Sequence, residues 1–466
     1  MIKTTAQQLA LVLKAQLVCV QNTDEDIEIS SVSTDSRNIA EKALFIALIG
    51  DHFDGHQFAV TAQKAGAKAL LVERRLPLDI AQLIVADTRI ALGQLGAWVK
   101  AQAQVKTLAI TGSCGKTSVK EMSASILSQC GQVLSTHGNF NNDIGVPLTL
   151  LRLTPQDQFA VIELGANHPQ EIAYTVNLVK PDVAVINNVA AAHLEGFKTL
   201  LGVANAKGEI FQGLGKGGTA IYNESILDLY PQHIPQWQDD IKDKQCFTFH
   251  LNQLEQTQCY ATDISLDTQA KAQFLLHTPQ GKIVIKLPIP GEHNVSNALA
   301  ASMATLAMGA SLAQIKKGLE TLHMVSGRVN AQMLTSQVRV IDDTYNASAS
   351  AMKAAAKLLS AYAGKKILVL ADMKELGEES VAIHEDLGRY IASLGINKTL
   401  TYGKDAQYIA QFCSGEHFTD ITLLNEALTG TILRYLEQPQ TITILVKGAR
   451  SMKMERVVTM LKEHIK

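Results

Sequence analysis

Short apolar runs alternate with helix-like stretches along most of this chain. From Val105 onward the strand-like runs are VKTLAIT, QFAVIELGA and PDVAVINNV, and past Gly309 they are VRVIDDTYN, KKILVLADM and TITILVKGA. Runs of this kind, rich in β-branched residues and separated by helical patterns, predict parallel strands covered by helices on both faces. The predicted fold class is therefore α/β.

The same alternation divides the chain into three units. The first eighty residues contain ALFIALIG (43–50), a helical FAVTAQKAGA (58–67) and a strand-like KALLVE (68–73), and they end in a turn over 74–77. Residues 241–290 are more polar, and they predict an antiparallel extension of the second unit. A length of 466 residues fits two to four domains. We predict domains over 1–82, 83–310 and 311–466.

Composition excludes several classes of protein. The net charge is −2 and no lysine-rich run stands out, which disfavours nucleic-acid binding. Residues 294–315 carry no charge and are long enough to span a bilayer, but their many Ala, Asn, Ser and Thr residues favour a buried helix without membrane insertion. Six well-separated cysteines without a C-x-x-C pair predict a reducing compartment, so we expect a cytoplasmic protein.

The sharpest chemical signal is a glycine-rich loop between the strand VKTLAIT and a helix. Backbone N–H groups of such a loop cradle phosphate, Lys116 can neutralise phosphate charge, and the Thr117 hydroxyl can bind Mg²⁺. Ile110 stands where the full motif has its first Gly, so a turn with an incidental lysine stays an alternative. The predicted ATP-binding loop comprises Gly112, Ser113, Cys114, Gly115, Lys116, Thr117 and Ser118.

Further motifs, in order through all three units, give the chain a resemblance to the Mur ligase family. They are STDSR (33–37), DGH (54–56), TGSCGKTS (111–118), GNFNNDIGVP (138–147), ELGA (163–166), NNVAAAHLEGF (187–197), AKGEIF (206–211), GEHNVSNALAA (291–301), SGR (326–328), DDTYNAS (342–348), ADMKELG (371–377) and VKGARSMKME (446–455). The resemblance implies a small N-terminal UDP-binding domain, a central P-loop ATPase-like domain and a C-terminal Rossmann-like domain.

The resemblance also implies an activity, which is ATP-dependent amide formation through an acyl phosphate. The segments DDTYNA, ADMKELG and VKGAR are similar to those of the members that join D-alanyl-D-alanine to UDP-N-acetylmuramoyl-tripeptide, the last cytoplasmic step of peptidoglycan precursor synthesis. Another Mur ligase or a folate-polyglutamylating enzyme is the near alternative, and a P-loop nucleotide switch is the remote one. We expect a monomer with ATP, two Mg²⁺ ions and small-molecule substrates.

Three residues are candidates for metal binding beside Thr117. Glu163 ends the strand QFAVIELGA, where a carboxylate can bind the Mg²⁺ of ATP; capping of a helix is the alternative. His193 follows the strand DVAVINNV, and the resemblance implies that it serves a second Mg²⁺. By residue type alone, the Lys207 side chain is expected to be solvated or salt-bridged. The resemblance implies instead that Lys207 is carbamylated and lies at the second metal.

The resemblance assigns nucleotide contacts on either side of the predicted 310/311 boundary. His293, Asn294 and Asn297 are expected at the nucleotide, with N-capping of the uncharged helix as the alternative. Arg328 is expected to reach the ATP phosphates, with a surface ion pair as its alternative. Asp343 is expected at the ribose, although Asp342 stays open and a turn-forming role is possible.

The remaining assignments concern the two peptide substrates. Asp372 is expected to orient the incoming amine, and Lys447 or Arg450 to pair with the dipeptide carboxylate. The asparagines of GNFNND are expected to face the muramoyl peptide and the phosphates, unless they only form a turn. The residues expected at the UDP-linked substrate are Ser33, Asp35, Ser36, Arg37, Asp54, His56, Asn139, Asn141 and Asn142.

Overall fold

A computed structural model describes residues 1–19, 26–228, 236–322 and 327–465. Its first unit is a five-stranded sheet in the order β2-β9-β8-β5-β4, in which only β2 is antiparallel to its neighbour. Two small antiparallel pairs, β1 with β3 and β6 with β7, flank it. The elements are β1 Thr4–Thr5, α1 Ala6–Leu13, β2 Gln16–Val18, β3 Glu28–Ile29, β4 Ser31–Ser33, β5 Ala43–Ile46, β6 Ile49–Gly50, β7 Phe53–Asp54, α2 Ala59–Lys64, β8 Ala69–Val72, β9 Ala81–Ile84 and α3 Thr88–Ala103.

The central unit is built on a six-stranded parallel sheet in the order β11-β12-β10-β13-β14-β15. Strands β16, β17 and β18 form a separate antiparallel sheet. The elements are β10 Lys106–Thr111, α4 Lys116–Leu127, β11 Val133–Ser135, α5 Gly145–Leu150, β12 Phe159–Glu163, α6 Glu171–Val179, β13 Val183–Ile186, α7 Leu194–Phe197, α8 Leu200–Gly208, β14 Thr219–Asn223, α9 Ser225–Asp228, β15 Gln245–Phe249, β16 Tyr260–Leu266, β17 Lys271–Thr278, β18 Gly281–Pro290, α10 His293–Ala307 and α11 Leu312–Glu320.

The C-terminal unit is a second six-stranded sheet, in the order β19-β20-β24-β21-β22-β23, with only the edge strand β19 antiparallel. Its elements are β19 Asn330–Met333, β20 Val338–Asp342, α12 Ala349–Ser360, β21 Lys365–Ala371, α13 Ser380–Ala392, β22 Lys398–Tyr402, α14 Gln407–Cys413, β23 Glu416–Phe418, α15 Ile421–Leu436, β24 Ile442–Lys447 and α16 Glu455–His464. The predicted α/β class with two largely parallel sheets is confirmed.

The antiparallel prediction for 241–290 is wrong at its start. Strand β15 pairs in parallel with β14, so the antiparallel sheet begins only at Tyr260. The error has a physical cause, since β15 is an edge strand whose first residues, Gln245 and Cys246, are exposed. Such a half-exposed strand shows the polar alternation that is typical of antiparallel sheets.

The uncharged stretch over 294–315 is divided between two helices. Helix α10 ends at Ala307, Gly309 follows with a φ of 102°, and Ser311 caps α11 through a reciprocal capping box with Gln314. Helix α11 packs on α4, and Ser125 donates a hydrogen bond to the carbonyl of Gly318. Within the described residues, no helix is long and apolar enough to cross a membrane. The domain boundaries at 82 and 310 stay predictions.

Candidate active site

The site lies where the carboxyl ends of two parallel sheets face each other. In the central unit β12, β10 and β13 are neighbours, so the segments that follow Glu163, Thr111 and Ile186 meet at one edge. In the C-terminal unit β20, β24 and β21 bring their ends together in the same way. Between the two edges is a cleft of about 820 Å³, lined by residues of both units.

The glycine-rich loop forms the floor of this cleft. Gly115 has a φ of 75°, and a Cβ there would lie 2.4 Å from Oδ1 of Asn297, so only glycine fits. Lys116 begins helix α4, and its Nζ donates a 2.8 Å hydrogen bond to the carbonyl of Gly112. Burial lowers the pKa of Lys116, while the nearby Glu163 acts in the opposite direction. The loop therefore presents a helix N-terminus and a half-buried lysine to one point, which suits a bound phosphate.

Glu163 and Thr117 bring hard oxygen ligands together beside the loop. The Glu163 carboxylate is 2% exposed and accepts a 2.9 Å bond from the Thr117 hydroxyl and another from Nδ2 of Asn141. Both partners are side chains, so the alternative that Glu163 caps a helix is wrong. Oxygen ligands this close together fit a hard cation such as Mg²⁺. Among the described residues, no group of three or more His, Cys, Asp and Glu side chains is placed so that it could hold a metal ion, so such an ion would also need oxygens from the nucleotide or water.

A chain of amide side chains joins the phosphate loop to helix α10. Asn187 donates from Nδ2 to the Cys114 carbonyl and to Oδ1 of Asn297, both at 3.0 Å. Asn297 donates to Asn294, and Asn294 donates to the carbonyl of Pro290. Helix α10 has no side-chain cap, so N-capping by Asn294 is wrong. These bonds fix the loop, which holds its N–H groups ready for a phosphate.

His293 and Asn188 line the cleft beside the loop. His293 is packed over Gly291, where a Cβ would lie 2.5 Å from its ring, and burial lowers the His293 pKa. Asn188 accepts a 2.9 Å bond from the backbone N–H of Cys114. Asn187 and Asn188 both stand in the motif NNVAAAHLEGF, but an N-N pair has no distinctive spacing, so no role is predicted for them from the sequence.

His193 and Lys207 both contact the Phe197 ring. The His193 ring meets the Phe197 ring edge-on at 6.4 Å, and Nζ of Lys207 lies 5.3 Å from the Phe197 centroid. Lys207 is fully buried and its Nζ has no hydrogen-bond partner. Burial, assisted by the positive charge of Lys116, lowers the pKa of Lys207 to about 7. The alternative of a solvated or salt-bridged Lys207 is therefore wrong.

Arg328 reaches from the C-terminal unit into the phosphate loop. Its Nη2 donates a 3.0 Å bond to the Thr117 hydroxyl, and its guanidinium lies 4.1 Å from the centroid of the Tyr345 ring. Its Nε is buried without a partner. A surface ion pair, the alternative for Arg328, is wrong. Ser326 of the same SGR motif lies outside the described residues.

The two adjacent aspartates after β20 have different roles. Asp342 accepts bonds from the backbone N–H and the hydroxyl of Thr344, so it is the turn former. Asp343 lines the cleft and forms a buried 2.6 Å ion pair with Lys447. The structure thus brings Asp343 and Lys447 together at the cleft, although the resemblance implies a ribose contact for Asp343 and Lys447 was one of two candidates for the dipeptide carboxylate.

The Asp372 carboxylate accepts hydrogen bonds from other residues of the C-terminal unit. It accepts bonds of 3.0, 2.9 and 2.8 Å from the backbone N–H groups of Lys404, Asp405 and Ala406 and a 3.0 Å bond from Lys374. These contacts occupy both oxygens of a side chain that is 1% exposed. The structure thus corrects the expected amine-orienting role: it assigns Asp372 to anchoring the 403–406 loop. Arg450, by contrast, lines the cleft and is largely exposed.

The asparagines of GNFNND, like the two aspartates after β20, have different roles. Asn139, Asn141 and Asn142 all line the cleft. Asn142 accepts a 2.8 Å bond from the backbone N–H of Gly145, the turn-forming role that was its alternative. Asn141 instead contacts Glu163, which ties this loop to the proposed metal ligands.

The six expected UDP residues of the first unit form two clusters there, and none of the six lines this cleft. In one cluster, the Arg37 guanidinium makes a bidentate contact with the Asp35 carboxylate. This contact lowers the pKa of Asp35 to about 2. Ser33 bonds to the carbonyl of Asp35, and Ser36 is buried beside it.

In the second cluster, Asp54 pairs with His56 and Arg74, each at 2.6 Å. The hydrogen bond from Arg74 is the largest cause of the lowered pKa of Asp54, and the hydrogen bonds from His56 act in the same direction. The sequence pattern placed Arg74 in a terminal turn, so its proximity to Asp54 was missed.

Comparison with known proteins gives matches in all three units. Three family models match: "Mur ligase family, catalytic domain" over 28–103, "Mur ligase middle domain" over 110–305 and "Mur ligase, glutamate ligase domain" over 327–450. The UDP-N-acetylmuramoyl-tripeptide--D-alanyl-D-alanine ligase of Escherichia coli K12 is 47% identical and covers 100% of this chain and 99% of its own. The Haemophilus influenzae ligase of the same name is 45% identical and covers 100% of both.

Solved structures agree with these relatives. The structure of MurF from Acinetobacter baumannii superposes with a TM-score of 0.90 at 40% identity, covering 99% of each chain. That of the MurF ligase from Thermotoga maritima in complex with ADP has a TM-score of 0.81 at 26% identity, covering 93% of this chain and 97% of its own. A folylpolyglutamate synthase from Mycobacterium tuberculosis, at 14% identity and a TM-score of 0.63, shares the fold.

Proposed function

Because the chain belongs to the Mur ligase family, we propose that it is an ATP-dependent ligase that joins D-alanyl-D-alanine to UDP-N-acetylmuramoyl-tripeptide in peptidoglycan precursor synthesis. Full-length identity of 47% and 45% to two ligases with that activity in their names carries this proposal. The cleft supports it, because Lys116 and Thr117 on one unit face Arg328 on another. We further propose that the enzyme acts as a monomer in the cytoplasm.

The reaction has two displacement steps. A carboxylate oxygen of the tripeptide attacks the γ-phosphorus of ATP, the bond to the leaving ADP oxygen breaks, and an acyl phosphate forms. The amine of D-alanyl-D-alanine then attacks the acyl carbon, loses a proton, and phosphate leaves. Lys116, the loop N–H groups and Arg328 stabilise the negative charge that develops on the transferred phosphoryl group. Placement and electrostatics are the main contributions of the protein.

Thr117 and Glu163 are the residues that would hold Mg²⁺ with the nucleotide. Their oxygens lie 2.9 Å apart at the phosphate loop. Bound there, Mg²⁺ would neutralise phosphate charge and orient the γ-phosphate. Asn141 and Arg328 each donate to one of these two side chains and so fix their orientation. His193, on the same cleft wall, is our proposed ligand for a second cation.

Lys207 is proposed to be carbamylated. Its buried amine has a pKa of about 7, so it is substantially neutral near pH 7 and can attack CO₂. The new N–C bond forms as one proton leaves, which gives a carbamate anion on Nζ. A partnerless amine in a buried position is destabilising, whereas a carbamate supplies two oxygens that can bind or orient a cation. The shared contact with Phe197 supports a role beside His193.

The other ligands are proposed for the remaining surfaces. We propose that the clusters around Arg37 and Arg74 bind the uridine diphosphate, because guanidinium groups suit bidentate phosphate recognition. Arg450 is the best-placed cation for the dipeptide carboxylate, because it lines the cleft and is exposed. Lys447 is held by Asp343, so we propose that this pair positions the nucleotide ribose instead.

A ligation assay tests the proposed function. The purified enzyme is incubated with ATP, Mg²⁺, UDP-N-acetylmuramoyl-tripeptide and one amine at a time: D-Ala-D-Ala, D-Ala, L-Ala-L-Ala or D-Glu. Phosphate release and product mass are measured together. We expect product with D-Ala-D-Ala and discrimination beyond the roughly 10- to 200-fold that one methyl contact provides. Equal use of a single amino acid would mean a different ligase, and ATP turnover without acid or amine would mean a nucleotide switch.

A further inference from the structure

Two loops from different units meet at His193 and Glu375. Glu375 follows β21 in the C-terminal unit, and His193 follows β13 in the central unit, 182 residues earlier. Both residues have left-handed backbones, with φ of 55° at His193 and 63° at Glu375. Nδ1 of His193 is hydrogen-bonded to Oε2 of Glu375, and the backbone N–H of Glu195 donates to the Glu375 carbonyl at 3.3 Å. The contact thus has a side-chain and a main-chain part.

The chemistry of this contact determines which ring nitrogen of His193 can bind a cation. An ionised carboxylate can only accept a hydrogen bond, so Nδ1 must carry the proton. In the neutral ring the lone pair then lies on Nε2. The Phe197 ring, edge-on at 89°, restrains the imidazole as well. A carboxylate that fixes the tautomer and orientation of a histidine in this way is a recurrent feature around protein-bound metals.

We propose that Glu375 is a positioning residue: its carboxylate, supplied by the C-terminal unit, orients His193 so that Nε2 can bind the second cation. The inference rests on the proposed function, in which His193 is a ligand. Because the two residues belong to different units, the hydrogen bond that sets the tautomer of His193 forms only when those units are together. Closure of the cleft and readiness of the second cation site are thereby coupled.

A plain surface ion pair is the competing explanation for the same contact. The Glu375 side chain is 47% exposed, and a pair of that kind contributes only about 0 to 1 kcal/mol to stability. In that case Glu375 would matter only as one of several contacts between the units. Another such contact is the 2.6 Å ion pair of Lys357 on α12 with Glu292, which does not involve His193.

Metal binding in the absence of turnover separates the two explanations. The full-length enzyme, with a non-hydrolysable ATP analogue, is titrated with Mn²⁺, and free Mn²⁺ is measured by electron paramagnetic resonance. We expect Glu375→Ala to raise the Kd of the weaker Mn²⁺ about 10- to 100-fold, the usual effect of losing a residue that orients a ligand. Glu375→Gln, which keeps an accepting oxygen, should lose less.

Three controls match the perturbation. Glu378→Ala removes the same charge from the same loop, and Lys357→Met removes a different ion pair between the units; both should leave the Kd unchanged. In a His193→Ala background, Glu375→Ala should have no further effect. Thermal unfolding of each variant confirms that it is folded.

The outcomes are distinct. A wild-type Kd in folded Glu375→Ala would overturn the inference, as would an equal loss in Lys357→Met, which would attribute the effect to closure alone. A full additional loss in the His193→Ala background would overturn it too. If the wild-type enzyme binds only one Mn²⁺, the second cation of the proposed function fails, a result that is separate from any failure of Glu375.

Discussion

Carbamylation of Lys207 makes the activity depend on pH and on dissolved CO₂ in a way that the structure quantifies. An ordinary lysine, with a pKa near 10.4, has on the order of one neutral amine in 10³ at pH 7. Burial lowers the pKa of Lys207 to about 7, so about half of the amines are neutral at pH 7 and about a tenth at pH 6. The fold therefore increases the reactive form about a thousandfold.

The sign of the effect follows from the direction of this shift. Only the neutral amine forms a carbamate, so occupancy falls as pH falls through the lowered pKa of Lys207. From pH 7 to pH 6 the neutral amine alone decreases about fivefold, and the proton released on carbamate formation makes the decrease steeper. At CO₂ concentrations that leave the site partly carbamylated, we expect the ligation rate to decrease by at least this factor. Added bicarbonate at constant pH should restore it.

Two measurements check this prediction. The carbamate is observed by nuclear magnetic resonance after addition of ¹³C-bicarbonate, and ligation is followed in the same samples. Lys207→Met should abolish the signal. Lys120 is also buried, but it should give no signal, because its Nζ is engaged by the Thr136 carbonyl and by Glu121. Lys207→Ala leaves space for a short-chain carboxylate and should be partly rescued by one, whereas Lys207→Met fills that space. Absence of label at pH 8 in the folded wild-type enzyme would refute the reasoning.

Three further results are expected from the geometry of the cleft. Lys116→Ala should decrease kcat on the order of 10²- to 10³-fold with little change in Tm, and near-normal turnover of the folded variant would exclude its role at the phosphates. Glu163→Gln and His193→Ala should each raise the Mg²⁺ concentration needed for half-maximal rate, whereas Mg²⁺ titrations that coincide with wild type would leave both side chains structural. Tyr345→Leu removes the ring beneath Arg328 and should decrease kcat/KM for ATP about 2- to 30-fold, a cation–π effect, while Tyr345→Phe should stay close to wild type; equal losses in both would contradict that origin.

Much of the fold could be predicted because its signals are local. Buried parallel strands such as β10 and β24 appear as short apolar runs, and the face of α4 with Val119, Met122 and Ile126 has the helical period. All three of those side chains are fully buried. The end of helix α10 also has a local signal, in Gly309 and Ser311. That signal was overlooked because the whole stretch over 294–315 carries no charge and was interpreted as one helix. Strand pairing is not local, which is why β15 was assigned to the wrong kind of sheet.

The chemical state of Lys207 could not be derived from its neighbours in the chain. The helix pattern of AKGEIF allows either exposure or burial of this side chain. Burial comes from distant segments: Phe197 lies against Nζ, and Trp237 packs so closely on Gly208 that a Cβ there would lie 1.9 Å from its ring. Only the family resemblance pointed to the unusual lysine, and the structure supplies the physical reason for its lowered pKa.

Contacts between the units explain why the site is divided among domains. Arg328 donates to Thr117 across the cleft, and its Nε is buried without a partner. A buried donor without a partner costs about 1 to 3 kcal/mol, and a phosphate oxygen at the loop can satisfy it. ATP then binds more tightly when the units are together than when they are apart, and by linkage it favours closure by the same free energy. The His193–Glu375 contact belongs to the same closed arrangement. Nucleotide binding, orientation of the metal ligand and exclusion of water from the acyl phosphate are therefore expected to occur as one step.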